Sequence, residues 1–461
     1  MVGSRNKFSS KFGFIAAAAG SAVGLGNIWK FPFEVGQNGG AAFLLIYLIF
    51  CFVLCYPLLI TEIAIGRAAQ KSPVGAFKAI KHPGWTFMGI LGVVAGILIL
   101  SFYTIVTAWV FGYFVEILLG NFSVGKQFME FIKDIEMVGG YSLFLLAVVA
   151  FIVSRGVTGG IERASKILMP VLILILLFLI IYSLTLENAM EGIRFYLVPD
   201  FSKINIEVIY RALGQAFFSL SLGMGILITY GSYLKKKEDI VFSGAIITLA
   251  DIAIAFLAGL MIFPIVFSQN ISTDGGAGLI FITMPEIFET MGPVLGIIIG
   301  SLFFLLLAFA AITSIISLLE LPVSYFVDQH EIKRDYAVWI SAGIIFLISI
   351  PSLLSSGYSD FFSNFITYYN TDVPVDFMTF LTDVSSNTLL PFVGLLTSLF
   401  AIYVWKRKKL FDELDHGSRE FRASWLSKYI GFCLQIIAPI VLAITFVVTI
   451  LEIFFGFRLF S

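Results

Sequence analysis

Histidine and cysteine are nearly missing from this chain, with three of each in 461 residues. Cys51, Cys55 and Cys433 all fall within apolar segments, which argues against a disulfide framework. His82, His330 and His416 lie apart in polar connections, so no imidazole and thiolate metal cluster is suggested. Charge is scarce too: Asp, Glu, Lys and Arg make up 13% of the residues, against about 25% in soluble domains. The net charge of −1 says little about partners, and the short basic clusters need no nucleic acid to explain them. Neither a GxSxG nor an HExxH arrangement occurs, so no hydrolase constellation is recognisable and the chain is not expected to be an enzyme. Gly120 to Lys126 (GNFSVGK) has the spacing of a phosphate-binding loop. It follows an apolar span rather than a strand, however, and has Gln127 where the Mg²⁺-binding Ser or Thr belongs.

What the chain has in abundance is apolar length. Hydrophobic residues make up 59% of it, and windows of about 20 apolar residues, enough to span a bilayer core, recur along nearly all of it. Eleven spans are expected, over 12 to 37, 41 to 66, 86 to 120, 138 to 154, 165 to 186, 208 to 233, 239 to 268, 293 to 327, 336 to 355, 377 to 405 and 428 to 457. This is an all-α membrane protein, and no cleavable signal peptide is expected. With the N-terminus inside, about 22 of the Lys and Arg residues fall on the cytoplasmic side. They include Lys235, Lys236 and Lys237, and the run Lys406, Arg407, Lys408 and Lys409.

Two spans stop looking like helices in mid-membrane. The first carries Gly20-Ser21-Ala22-Val23-Gly24-Leu25-Gly26-Asn27, and three glycines in seven residues make a poor helix interior. The second, about 200 residues on, carries Phe217-Phe218-Ser219-Leu220-Ser221-Leu222-Gly223-Met224-Gly225. Small residues of this kind also serve close helix packing. Backbone groups freed by a break cannot face hydrocarbon, so a true break faces protein, a cavity or a ligand. Oxygen-rich side chains gather at similar depth: Asp251 in span seven, and Thr313 and Ser314 in span eight. An intramembrane carboxylate is by default a functional residue, although a carboxylate satisfied by backbone N–H groups is the structural alternative. Glu62 and Glu320 lie nearer helix ends, where structural roles are expected.

Carbonyl, hydroxyl, amide and carboxylate oxygens without thiolate suit a hard cation. A free helix N-terminus beside them suits a carboxylate. A zwitterionic amino acid meets both demands where broken helices present their ends to it.

Four segments carry a family resemblance. GSAVGLGNIWKFPFEVGQNGGAAF (Gly20 to Phe43), LITEIAIGR (Leu59 to Arg67), QAFFSLSLGMG (Gln215 to Gly225) and AITSIISLLELP (Ala311 to Pro322) occur in the order found in the neurotransmitter:sodium symporters, which the chain resembles over spans one to ten. The resemblance implies a LeuT-type fold, a 5+5 inverted repeat with broken helices 1 and 6. Repeat one would run over about 12–186 and repeat two over about 205–405, with one appended C-terminal helix at about 428–457. It also implies two sodium sites. One uses the Ala22 carbonyl, Asn27, Ser219 and Asp251 together with the substrate carboxylate. The other uses the carbonyls of Gly20, Val23 and Ala310 with the hydroxyls of Thr313 and Ser314. The substrate carboxylate would meet Tyr103 and the N–H groups of Leu25 and Gly26, Phe218 would close over the side chain, and Ile99, Ser221, Met224 and Leu318 would shape its pocket.

Two departures qualify this picture. Asp251 stands where the family usually has Asn, with Tyr47, Gln215 and Ser219 at the neighbouring polar positions; a fixed carboxylate there implies transport without chloride. Lys30 replaces the usual Arg of the outer gate, keeping charge but losing bidentate geometry, with Asp383 as its acidic partner and Asp376 as the alternative. Arg5 and Phe8 fall where the family's cytoplasmic latch lies, facing Asp328. Met224 can adapt to large partners and, with Ile99 and Leu318, favours a hydrophobic amino acid, aromatic ones included; without the resemblance it reads equally as packing filler. The expected function is sodium-coupled symport by alternating access in the cell membrane, a bacterial inner membrane by analogy of the short termini. A non-transporting sensor or an ion channel on the same fold stands as the rival, though the isolated polar clusters do not describe a continuous pore.

Overall fold

The computed structural model describes residues 7–268, 279–418 and 420–457, and no strand occurs among them. Long helices account for most of the chain, and we number the principal ones in order. They are α1 (Lys11–Ala22), α2 (Gly26–Gln37), α3 (Ala41–Ala69), α4 (Pro83–Leu118), α5 (Ile135–Ser154), α6 (Val157–Ser183), α7 (Ile206–Ser219), α8 (Ile226–Gly231), α9 (Ile240–Ser268), α10 (Pro293–His330), α11 (Arg334–Leu354), α12 (Phe377–Val404) and α13 (Trp425–Phe454). Among the described residues, nine of these are long and apolar enough to cross a membrane, and α1 with α2, bent by 52° at their junction, make a tenth.

Helix starts are written in short polar side chains. Ser10 accepts the Gly13 N–H at 3.0 Å to open α1, Asn205 accepts the Val208 N–H at 2.8 Å to open α7, and Asp376 accepts the Thr379 N–H at 3.0 Å to open α12. Each satisfies one of the donors that a helix N-terminus leaves without an internal partner. α6 starts at Val157 rather than near residue 165. The polar stretch that reads as a connection is wound into a π-helical turn, Val157–Glu162, because Glu162 is buried and held by Ser9, Ser10 and Lys166.

The scaffold is a long contact between α4 and α10, flanked by α5, α6 and α11, while α1 lies against α6, α9 and α10. α7 and α8 pack on α3, and α13 packs on α12. The two broken elements thus sit in the middle of the bundle, surrounded by protein rather than lipid. The phosphate-loop-like string is an exposed connection after α4, and its Lys126 reaches Glu289 at 3.4 Å.

One end of the bundle is tied by charge. Arg334 holds Glu320 at 2.6 Å, and Tyr233 donates to the same carboxylate at 2.5 Å. Arg67, fully buried at the end of α3, meets the Glu413 carboxylate at 2.7 Å and donates to the carbonyls of Glu238, Glu413 and His416. Phe8 is buried at this end against Phe14, Tyr230 and Tyr233.

Candidate functional site

The chain leaves helical geometry at Val23, whose ψ of 106° is extended, and resumes it at Gly26. The freed backbone groups are taken up by side chains. Gly24 N–H donates to Asn27 Oδ1 at 3.1 Å, Leu25 N–H to the Tyr103 hydroxyl at 3.0 Å, and the Gly26 carbonyl accepts from Gln215 Nε2 at 2.8 Å. The Ser21 carbonyl accepts from Ser221 Oγ at 3.1 Å, joining the two breaks directly. Gly24 is required by this approach: a Cβ there would lie 2.6 Å from Ser314 Oγ and 2.9 Å from the Tyr103 hydroxyl.

Between α7 and α8 six residues, 220 to 225, are non-helical. Ser221 has φ 53°, and Gly223 and Gly225 have φ 79° and 81°, conformations that L side chains rarely adopt. Glu62, from α3, accepts the Gly223 N–H at 2.9 Å and so holds this break in place.

Asp251 lies fully buried where the breaks meet. Asn27 Nδ2 donates to its Oδ1 at 2.7 Å, Ser219 Oγ lies 2.9 Å from both oxygens, and the Tyr47 hydroxyl donates to Oδ2 at 3.1 Å. Asn27 also reaches Ser219 Oγ at 3.0 Å and the Asp251 carbonyl at 3.2 Å. Its amide is therefore turned with the oxygen toward the Gly24 N–H and the nitrogen toward Asp251. A carboxylate in so dry a place is costly unless a positive charge compensates it, and its three neighbours here, the Asn27 amide and the Ser219 and Tyr47 hydroxyls, are all neutral.

A second oxygen cluster joins α1 to α10. Thr313 Oγ1 lies 2.9 Å from the Ala310 carbonyl and 3.4 Å from that of Val23, and Ser314 Oγ lies 3.3 Å from the Ala310 carbonyl and 3.4 Å from that of Ser21. Gly20 abuts the same threonine, with a Cβ built there 3.5 Å from Thr313 Cβ. Among the described residues no group of three or more His, Cys, Asp or Glu could hold a metal ion. Both clusters consist of the oxygen donors that suit a hard monovalent cation rather than a transition metal.

Between the clusters lies a cavity of about 30 Å³, roughly the volume of one water molecule. Of the residues expected around the substrate and its sodium ions, Ala22, Gly26, Ile99, Tyr103, Phe218, Ser219, Ser221, Met224, Ser314 and Leu318 line it. Leu25 does not; its N–H is occupied by Tyr103. Ser21, Gly24 and Ile226 line the cavity without having been singled out. Ser21 and Gly24 are signalled by their place inside the first break, whereas nothing in the sequence marks Ile226, which reads as the first apolar residue of a resumed helix.

Above Phe218 a vestibule of about 760 Å³ opens, lined by Lys30, Glu34, Glu207, Arg211 and residues of α12 and α13. Lys30 Nζ sits 4.8 Å from the centre of the Phe218 ring. The expected ion pair with Asp383 is not formed: Asp383 accepts from the Tyr368 hydroxyl and from Asn387 Nδ2, both at 3.0 Å. Asp376, the alternative partner, caps α12 through Thr379. Both carboxylates are held by neighbours close in sequence, leaving Lys30 to the aromatic face. At the opposite end Asp328 accepts the Ser72 N–H at 2.5 Å, and Arg5 lies outside the described residues.

Two discontinuous helices meeting at a buried carboxylate, within a bundle of membrane-crossing helices, define a secondary transporter of the broken-helix class. The sequence model of the sodium:neurotransmitter symporter family matches residues 5–130 and 121–455, and the chain belongs to that family. It is similar to the uncharacterised sodium-dependent transporter YhdH of Bacillus subtilis, 39% identical over 95% of this chain and 96% of the relative. An uncharacterised sodium-dependent transporter of Methanocaldococcus jannaschii is 33% identical over 95% of this chain and 89% of its own. The crystal structure of MhsT in complex with L-phenylalanine superposes with a TM-score of 0.86 at 40% identity, covering 96% of this chain and all of that one. The protein is therefore a multi-pass membrane transporter that uses sodium, with a LeuT-type fold, and not an enzyme.

Proposed function

We propose that this protein carries a hydrophobic L-amino acid, aromatic ones included, inward with sodium bound at two sites, by alternating access and without chloride. The single observation that carries this reading is the meeting of both helix breaks at Asp251, where Asn27, Ser219 and Tyr47 converge on one buried carboxylate. One sodium ion would bind Asp251, Ser219, Asn27 and the Ala22 carbonyl; this requires Asn27 to turn its amide oxygen inward. The second would bind Thr313, Ser314 and the carbonyls of Gly20, Val23 and Ala310. Because Asp251 supplies a fixed negative charge, no anion is needed beside Tyr47 and Gln215.

The apolar lining of Ile99, Phe218, Met224, Ile226 and Leu318 favours a large hydrophobic side chain, and a relative of 40% identity has been crystallised with L-phenylalanine. In this reading the chain makes eleven crossings with its N-terminus in the cytoplasm, as the placement of basic residues favours. The cavity widens to admit substrate, and Phe218 with Lys30 closes the vestibule side. Phe8, with Arg5 and Asp328, secures the opposite side until the ions leave. Each sodium ion entering gains about 2.3 kcal/mol per 100 mV, roughly 40-fold in accumulation.

The test is competition for sodium-driven uptake into proteoliposomes by L-phenylalanine, L-tyrosine, L-leucine and glycine, with chloride replaced by gluconate. Inhibition by the large side chains and none by glycine is expected; strongest inhibition by glycine contradicts the reading. Asn27→Ala or Thr313→Ala abolishes sodium-dependent uptake. Ion conductance without accumulation would identify a channel, and binding without flux a sensor.

A further inference from the structure

The serines around the cavity commit their protons in one direction. Ser317 Oγ donates to the Ser314 carbonyl at 2.8 Å, Ser221 Oγ to the Ser21 carbonyl at 3.1 Å, and Ser314 Oγ lies 3.3 Å from the Ala310 carbonyl. A hydroxyl has one proton and two lone pairs, and a carbonyl only accepts. Ser317 has therefore spent its proton, so the 2.7 Å contact between Ser21 Oγ and Ser317 Oγ is made with the proton of Ser21. Ser21 is 2% exposed, lines the cavity, and is left with lone pairs only.

This hydroxyl belongs to neither proposed ion site. Its partner Ser317 lies on α10 directly before the cavity-lining Leu318, whereas the Tyr103 hydroxyl is engaged by the Leu25 N–H. We infer that the Ser21 hydroxyl, oriented by Ser317, is a specificity determinant that accepts a hydrogen bond from the substrate side chain and so selects aromatic amino acids bearing a ring N–H or O–H. The inference rests on the amino-acid reading of the site proposed above. The bond forms in a dry pocket, and its net worth is that of one neutral hydrogen bond, about threefold to tenfold in affinity.

The experiment compares L-tryptophan with 3-benzothienyl-L-alanine, an isostere in which sulfur replaces the indole N–H, as competitors for sodium-dependent binding of labelled L-leucine to the purified transporter. Wild type is expected to bind tryptophan about threefold to tenfold more tightly than the isostere. Ser21→Ala brings that ratio close to one, each competitor being referred to the leucine affinity measured for the same protein. Should Ser21→Ala lose leucine binding as well, Ser317→Ala decides, because it keeps the Ser21 hydroxyl but frees its proton: a fall in the ratio supports the assignment, and an unchanged ratio overturns it. Equal binding of the two competitors by wild type, or a ratio that survives Ser21→Ala, overturns the hydroxyl assignment with sodium-dependent leucine binding intact. Absence of sodium-dependent binding of any large amino acid to wild type overturns the transport reading and this inference with it.

Discussion

Replacing Asp251 by asparagine keeps the shape of the side chain and removes its charge. The hydrogen bonds from Tyr47 and Ser219 can still be made to the remaining oxygen, and Asn27 can turn its amide, so the bundle is expected to fold. What is lost is the negative charge that the proposed sodium ion would face in a fully buried site. Removing one partner of a buried charge pair costs about 3–5 kcal/mol, and the lower figure already corresponds to a weakening of about 100-fold in sodium affinity. The assay is the sodium dependence of substrate uptake into proteoliposomes in chloride-free gluconate medium. Half-maximal uptake should then require on the order of 100-fold more sodium than wild type. Added chloride should recover part of the loss, because the Tyr47 and Ser219 hydroxyls no longer face a fixed carboxylate and can turn to an anion. Chloride-free uptake by Asp251→Asn at the wild-type sodium requirement would refute the assignment of this charge to the ion site.

Two further substitutions probe the breaks and the charged end of the bundle. Gly24→Ala places a Cβ 2.6 Å from Ser314 Oγ and 2.9 Å from the Tyr103 hydroxyl, so it should reduce sodium-dependent substrate binding about fivefold or more, since an overpacked site costs about 1–3 kcal/mol; equilibrium binding measures the loss and a thermal melt shows that the fold is kept. Arg67→Ala leaves the buried Glu413 carboxylate with Lys236 alone, at 2.8 Å, and strips a donor from the carbonyls of Lys236, Glu238, Glu413 and His416. It should lower stability by about 3 kcal/mol, and the double substitution with Glu413→Leu should regain part of that loss in a thermal melt.

Much of the membrane architecture is legible in hydropathy alone, because a bilayer demands long apolar helices and leaves few alternatives. Glycine density at Gly24 and Gly26 marks the first break, and the resumption of helix at Gly26 follows from it. The second break is marked by Gly223 and Gly225, but the left-handed conformation of Ser221 is not, since serine gives no such signal and the turn is imposed by Glu62 from another helix. The Lys30–Asp383 ion pair is absent from this structure for a similar reason. Lys30 and Asp383 carry opposite charges at suitable positions, yet Tyr368, arriving from the connection before α12, takes the carboxylate first. Ile226 and the Ser21–Ser317 contact depend on which faces of separate helices meet, and no periodicity within one segment reports that. The early start of α6 likewise depends on Ser9 and Ser10 reaching Glu162 from about 150 residues away in sequence.

In the proposed cycle, sodium entry drives an amino acid into the cell through the paired helix breaks. The most direct measurement is accumulation of labelled L-phenylalanine in proteoliposomes under an inward sodium gradient, with potassium or choline replacing sodium and gluconate replacing chloride. Transient accumulation above the external concentration is expected with sodium alone, undiminished by the removal of chloride and absent when the gradient is collapsed. Equal uptake in potassium or choline, or binding that saturates without accumulation inside the vesicles, would contradict the account.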